Sequence, residues 1–166
     1  MRASTRTAFV LFACAPICAL ALGCGSNRQE FGGRQGGMTV IDPPDVHVEE
    51  DRIRIDRKIH FAFDSDEILD DSTEILDHIA ETLDNHPEIT AVRVIGHTDA
   101  AGGHAHNQDL SERRAAAVVR ALRQRGVSQT LESRGVGETE PLCQEDTDEC
   151  HARNRRVEFV IAARET

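Results

Sequence analysis

Hydrophobic and polar positions alternate along this chain with two different periods, and the changes of period mark its elements. Val46 and Val48 alternate with polar neighbours, as do Ile53 and Ile55, and then Ile59, Phe61 and Phe63. Period two over short runs predicts strands, because successive side chains point to opposite faces of a sheet. Ile75, Leu76, Ile79, Ala80 and Leu83 recur instead at helical spacing and make one apolar face. Asp71-Ser72-Thr73-Glu74 has capping-box spacing at the start of that helix, and His86-Pro87 stops it. Ala91-Val92-Arg93-Val94-Ile95-Gly96 reads as a buried strand, followed by a polar, Gly-containing loop over residues 97–107. A second helix is expected over residues 109–125, with Gly126 as its C-terminal cap. A strand over residues 130–135 follows, and a last one over residues 156–162, where Val157, Phe159 and Ile161 alternate. The order β-α-β-α-β-β predicts an α/β (α+β) sandwich, a mixed sheet with two main helices on one face.

The N-terminal part has another character. Arg2 and Arg6 are the only charges in residues 1–24, and residues 8–22 are apolar, broken by Pro16. A basic start, a short apolar core and a small-residue exit describe a secretory signal peptide, too short for a membrane-spanning helix of about 20 residues. A buried N-terminal helix is the alternative, for which Cys14, Pro16 and Cys18 make a poor face. The exit Ala21-Leu22-Gly23-Cys24 resembles a bacterial lipobox, with its large apolar residue displaced. That resemblance implies acylation of Cys24, and Gly25 in place of Asp implies sorting to the outer membrane, with the domain facing the periplasm. Gly32-Gly33 and Gly36-Gly37 among polar residues describe a flexible tether. The expected organisation is a signal peptide over residues 1–23, a lipidated cysteine and tether over residues 24–45, and a folded domain over residues 46–166.

Composition narrows the function classes. The 166 residues suffice for one domain with an appendage. With 29 acidic against 19 basic residues and a formal charge of −10, the chain is no general nucleic-acid binder, which needs surplus Lys and Arg. Six Phe with no Trp or Tyr leave no stacking platform for single strands or extended sugars. Once the leader and Cys24 are set aside, Cys143 and Cys150 remain as an even pair in an oxidising compartment. A disulfide there closes a short acidic loop and adds about 2–3 kcal/mol in the chain-entropy model. A two-ligand metal clip is the alternative.

One residue does not suit its face. Leu110, Val118, Ala121 and Leu122 define the stripe of the second helix, and Arg114 lies within it, four residues from both Leu110 and Val118. Arg113 points about 100° away. A guanidinium against a core edge costs several kcal/mol unless it snorkels, pairs with a carboxylate or holds an anionic ligand. Asp99, in the strand-to-helix loop, is the nearest carboxylate by topology. The pair forms either a structural bridge or a site for a zwitterion, whose ammonium meets the carboxylate and whose carboxylate meets the guanidinium.

Residues 97–118, HTDAAGGHAHNQDLSERRAAAV, resemble the signature segment of the OmpA-like C-terminal domain family, which includes the peptidoglycan-associated (Pal-like) lipoproteins. The shared pieces are Gly96-His97-Thr98-Asp99, Gly102, Asn107 and Leu110-Ser111-x-Arg113-Arg114-Ala115. Ile59-His60-Phe61-Ala62-Phe63-Asp64-Ser65 resembles the opening strand. Arg134-Gly135-Val136-Gly137-Glu138-x-x-Pro141 and Asn154-Arg155-Arg156-Val157-Glu158 resemble the closing motifs. The likeness covers roughly residues 46–163 in order. It implies non-covalent binding of peptidoglycan through the diaminopimelate of the stem peptide, with no cofactor and no enzymatic activity. Carried over by motif, Asp99 meets the ammonium and Arg114 the carboxylate. Asn107 and Leu110 line the pocket, Phe63 and Asp64 belong to a loop closing one side, and Arg155 is a further candidate. Implied partners are peptidoglycan, outer-membrane lipid through Cys24 and Tol-type periplasmic proteins. An interaction module of a Tol–Pal-type complex, with wall binding secondary, is the alternative. Gly103-His104-Ala105-His106 departs from the family pattern.

Other constellations read as ordinary structure. His97, His104 and His106 with Asp99 are of zinc-ligand type, but their spacing matches no familiar zinc motif. The acidic run Asp64-Ser65-Asp66-Glu67 reads as a solvated loop. Ser72 and Ser111 read as helix-start residues rather than nucleophiles, and no Gly-x-Ser-x-Gly or Cys-His arrangement accompanies them.

Overall fold

Alternation at the start of the domain turns into a hairpin in the computed structural model, which describes residues 41–165. The leader, Cys24 and nearly all of the tether lie outside the described residues. Strand β1 (Val46–Val48) pairs antiparallel with β2 (Arg52–Ile55), Val46 opposite Ile55 and Val48 opposite Ile53. The packed unit also takes in residues 42–45, which the sequence pattern places at the end of the tether. Pro43 is buried, Asp42 Oδ2 lies 2.8 Å from His86 Nε2, and Asp45 Oδ1 lies 2.6 Å from His78 Nδ1.

The third expected strand does not form a ladder. Ile59 is buried and Phe61 makes a single antiparallel bridge to Ile68, while Phe63 is fully exposed. A 3-10 turn (Asp70–Ser72) leads into α1 (Thr73–Asn85), whose Ile75, Leu76, Ile79 and Leu83 are buried as the periodicity predicts. The capping box does not form, because Ser72 already has helical dihedrals and makes no cap bond. Its hydroxyl instead accepts the His60 N–H at 2.8 Å and donates to Asp71 at 3.1 Å.

Strand β3 (Ile89–Gly96), helix α2 (His104–Gln124) and strand β4 (Thr130–Gly135) make a parallel crossover, in register from Ala91 opposite Thr130 to Gly96 opposite Gly135. The helix lies so close to both strand ends that a Cβ at Gly96 or Gly135 would overlap its backbone at Ser111 or Glu112. Helix α2 starts five residues before the expected 109. Gly103 takes the extended N-cap conformation and its carbonyl accepts the Asn107 N–H. The first turn, His104-Ala105-His106-Asn107, has no apolar period to announce it. Ser111 consequently sits inside the helix, not at its start. It is fully buried, donating to the Gln108 carbonyl and accepting the Gly137 N–H.

A short helix, α3 (Asp148–Asn154), occupies what the pattern leaves as a cysteine loop; Thr147 caps it by accepting the Cys150 N–H at 3.2 Å. Strand β5 (Val157–Arg164) then inserts between β2 and β3, giving the order β1-β2-β5-β3-β4. The core forms where α1 and α2 cover one sheet face. Ile75, Ile79, Leu83, Val118 and Leu122 meet Ile53, Val92, Val94, Leu131 and Phe159. The mixed sheet with two main helices on one face is therefore the observed architecture, with α3 added.

Candidate functional site

The C-terminal end of β3, the first half of α2, the loop after β2 and the end of α3 surround a cleft of about 900 Å³. Crevices at the carboxyl ends of parallel strands are common ligand sites. All seven residues expected to contact a ligand line this cleft: Phe63, Asp64, Asp99, Asn107, Leu110, Arg114 and Arg155. Asp99 lies three residues beyond β3, its side chain 13% exposed. One carboxylate oxygen accepts the Ala101 N–H at 3.2 Å, and the other accepts Arg155 Nη1 at 2.5 Å. Asn107 is buried and donates to the Asp99 carbonyl at 3.4 Å, holding the loop onto the first turn of α2.

The Asp99–Arg114 bridge does not form; Asp99 pairs with Arg155. Among the described residues Arg114 has no carboxylate partner. Its Nε donates to the Ser65 carbonyl at 2.9 Å and its guanidinium stacks over Phe61, 5.0 Å from the ring centre. Burial pushes the Arg114 pKa below its ordinary value, with Asp64 and Asp99 pulling it back and Arg113 and Arg155 adding repulsion. The group remains a cation, since guanidinium does not deprotonate in proteins. Arg113 points outward as expected, binding Asp109 at 2.8 Å and Asp66 at 3.0 Å.

The acidic loop is tied down rather than free in solvent. Asp66 also accepts from Arg120 at 3.2 Å. Partial burial pushes its carboxyl up, but the two guanidinium groups hold it below the ordinary value. Asp64 has left-handed backbone (φ 49°), and its carboxylate lies 2.7 Å from His106 Nε2. Phe63 stands at the rim, fully exposed.

Sequence reasoning misses Phe61 and the Ser65 carbonyl, the two groups that hold the Arg114 guanidinium. The aromatic in the Ile59-Phe61-Phe63 alternation is the available signal, but period two marks it only as a strand residue. The three histidines of the loop have separate surroundings. His104 binds Glu138 at 2.9 Å and His106 binds Asp64, while His97 is buried in the lining of the cleft, its ring nitrogens without a hydrogen bond and Nε2 3.8 Å from Glu158 Oε2. Burial, reinforced by Arg156, pushes the His97 pKa down against the pull of Glu158 and Glu140. Cys143, Glu145 and Cys150 form the one group of metal-ligand type among the described residues, and its two sulfurs are joined in a disulfide. In this disulfide the two sulfurs offer no thiolate to a metal clip.

Comparison with known proteins follows the same residues. The OmpA family profile matches residues 60–155, more than half of the chain. The chain belongs to the OmpA family. It is 43% identical over 74 residues to the probable lipoprotein YiaD of Escherichia coli, a stretch covering 44% of this chain and 34% of that protein. It is 39% identical over 77 residues to the outer-membrane lipoprotein YfiB of Pseudomonas aeruginosa, covering 46% of each. The chain thus spans less than half the length of these curated relatives. The crystal structure of the peptidoglycan-associated lipoprotein from Burkholderia pseudomallei superposes with a TM-score of 0.57 at 32% identity, covering 63% of this chain and 88% of that one. Family and fold agree with the resemblance carried by the motifs.

Proposed function

We propose that this OmpA-family protein is an outer-membrane lipoprotein whose domain grips peptidoglycan through the diaminopimelate of the stem peptide, tethering membrane to wall. The observation that carries the reading is Arg114, a half-buried cation without a carboxylate partner, in the same cleft as Asp99. A guanidinium so placed accepts a ligand carboxylate through two parallel hydrogen bonds. The ligand ammonium meets the Asp99 carboxylate, which the Ala101 N–H and the Arg155 guanidinium hold in place. Leu110 and Asn107 contact the aliphatic stem between the two charged ends, and the loop bearing Phe63 and Asp64 closes one side. Similarity to an outer-membrane lipoprotein and to a peptidoglycan-associated lipoprotein supports the same reading. The role is binding, with no chemical step. Single sites need hold only weakly, because many copies on one wall network gain avidity.

The test is sedimentation with purified peptidoglycan. Asp99→Ala and Arg114→Ala are each expected to leave the protein in the supernatant while shifting the melting temperature by only a few degrees, as for ~1 kcal/mol. A variant that pellets as well as the parent removes that residue from the site.

A further inference from the structure

Helix α3 has seven residues, well below the length at which a helix is stable by itself. Nor does it bury an apolar stripe: its buried residues are Cys150 and Asn154. Its place in the fold therefore rests on those two groups and on Lys58, whose ammonium donates to the Ala152 carbonyl at 2.7 Å. Cys150 is joined to Cys143. The Asn154 side chain accepts the N–H groups of Leu142, at 2.8 Å, and Cys143, at 3.3 Å. It also donates to the Cys143 carbonyl at 2.9 Å. Helix and preceding segment are thus stapled twice, by a covalent bond and by a fully engaged amide. The next residue is Arg155, whose N–H caps α3 on the His151 carbonyl and whose guanidinium holds Asp99. On its other flank Arg156 is fixed to the site by its carbonyl, which accepts the His97 N–H at 3.0 Å.

We propose that the Cys143–Cys150 disulfide and Asn154 form a positioning unit that aims Arg155 at Asp99, so that ligand retention in the cleft follows the thiol–disulfide state of this cysteine pair. The inference rests on the wall-binding reading of the cleft and adds its regulation. Reduction by a dithiol breaks the S–S bond and forms two thiols. Two electrons and two protons come from the reductant, which closes to its own disulfide. What then holds α3 is Asn154 and the Lys58–Ala152 hydrogen bond, against repulsion within an exposed segment that carries Glu145, Asp146, Asp148 and Glu149. Arg155 keeps its anchor on the β5 side, while the one on the α3 side is weakened by the loss of its covalent staple. Its grip on Asp99 loosens, and the loop that presents Asp99 loses its most direct ionic contact.

The experiment titrates the purified protein with a diaminopimelate-containing stem peptide. Four forms are compared: the oxidised parent, the parent in dithiothreitol, the Cys143→Ser/Cys150→Ser double variant and Asn154→Ala. Asp99→Ala serves as the reference for the site. Reduction and the double variant should each weaken binding roughly tenfold, the worth of one charge-assisted hydrogen bond. Reoxidation should restore the parent, and dithiothreitol should leave the double variant unchanged. Asn154→Ala should weaken binding with the disulfide intact. A second readout separates positioning from general loosening: the Arg155 guanidinium N–H resonances, restrained in the oxidised parent, should average in the reduced form while resonances of Val118 and Phe159 stay in place. Parent-like affinity in the double variant, or an unchanged Arg155 signature, overturns the proposal. If Asp99→Ala itself binds like the parent, the wall-binding reading fails and the Arg155 signature alone judges the positioning unit.

Discussion

At Arg114 a cation has given up much of its water without gaining a carboxylate. Ser65 supplies one acceptor and Phe61 a π face, neither of which neutralises the charge. Arg114→Lys is the discriminating substitution, since it keeps the charge and discards the planar fork and the stacking. Stem-peptide binding is expected to fall about tenfold or more, as for one lost charge-assisted bond, with thermal unfolding nearly unchanged. Equal affinity for the Lys variant would mean that a point charge is enough and that no bidentate contact is made. Arg114 was legible in sequence because a charged side chain fell inside an apolar stripe. Its neighbour's partner was not. Asp99 is claimed by Arg155, 56 residues later, because β5 lies next to β3 and delivers residue 155 beside the end of that strand.

Among elements, the contact of α2 with β3 and β4 sets where Leu110 and Arg114 stand. Gly135→Ala places a methyl group into the Ser111 hydroxyl and the Glu112 backbone. The expected cost is about 1–3 kcal/mol, as for other overpacked sites, read as a lower urea midpoint together with weaker wall binding. The segment before β1 is held to α1 by charge. Burial pushes the His86 pKa down, but Asp42 and Glu88 outweigh it and the net shift is upward from 6.5. The stabilisation is therefore complete below the unfolded value of 6.5 and is lost as pH rises through the raised folded value. Hydrogen exchange at the Val46 N–H, bonded to Pro43 O, should show a matching step beyond ordinary base catalysis, and Asp42→Asn should diminish it. An unaltered exchange profile in that variant would mean that the Asp42–His86 pair does not hold this segment. Periodicity and apolar runs revealed α1, α2 and the five strands of the sheet. They missed α3, which is polar and pinned by a disulfide, and the first turn of α2, which buries only Asn107.

For the whole molecule, the proposed function needs two attachments with slack between them. The proposal gives the tether role to the Gly-rich segment; a random coil of about twenty residues has a root-mean-square reach of about 25 Å and a stretched reach of about 70 Å. Among the described residues no helix is long and apolar enough to cross a membrane, and the proposed anchor is the acyl group on Cys24. Cys24→Ser is expected to move the protein from the membrane fraction to the soluble envelope fraction while its pelleting with purified peptidoglycan is retained. Continued membrane association would point to an anchor other than that lipid.

The sequence alone determined which segments alternate, the two main helices and which chemistry is present, because side-chain periodicity and residue type are local properties. It also marked the seven ligand-contact candidates that the structure brings to one cleft, since the motif spacing carries those positions together, but not Phe61 or the Ser65 carbonyl that hold Arg114. Pairing was decided in three dimensions. The insertion of β5 between β2 and β3, the capture of Asp99 by Arg155 and the burial of His97 all arise from contacts between residues distant in the chain. Such contacts are fixed by the closure of the core and leave no periodic trace in any one segment.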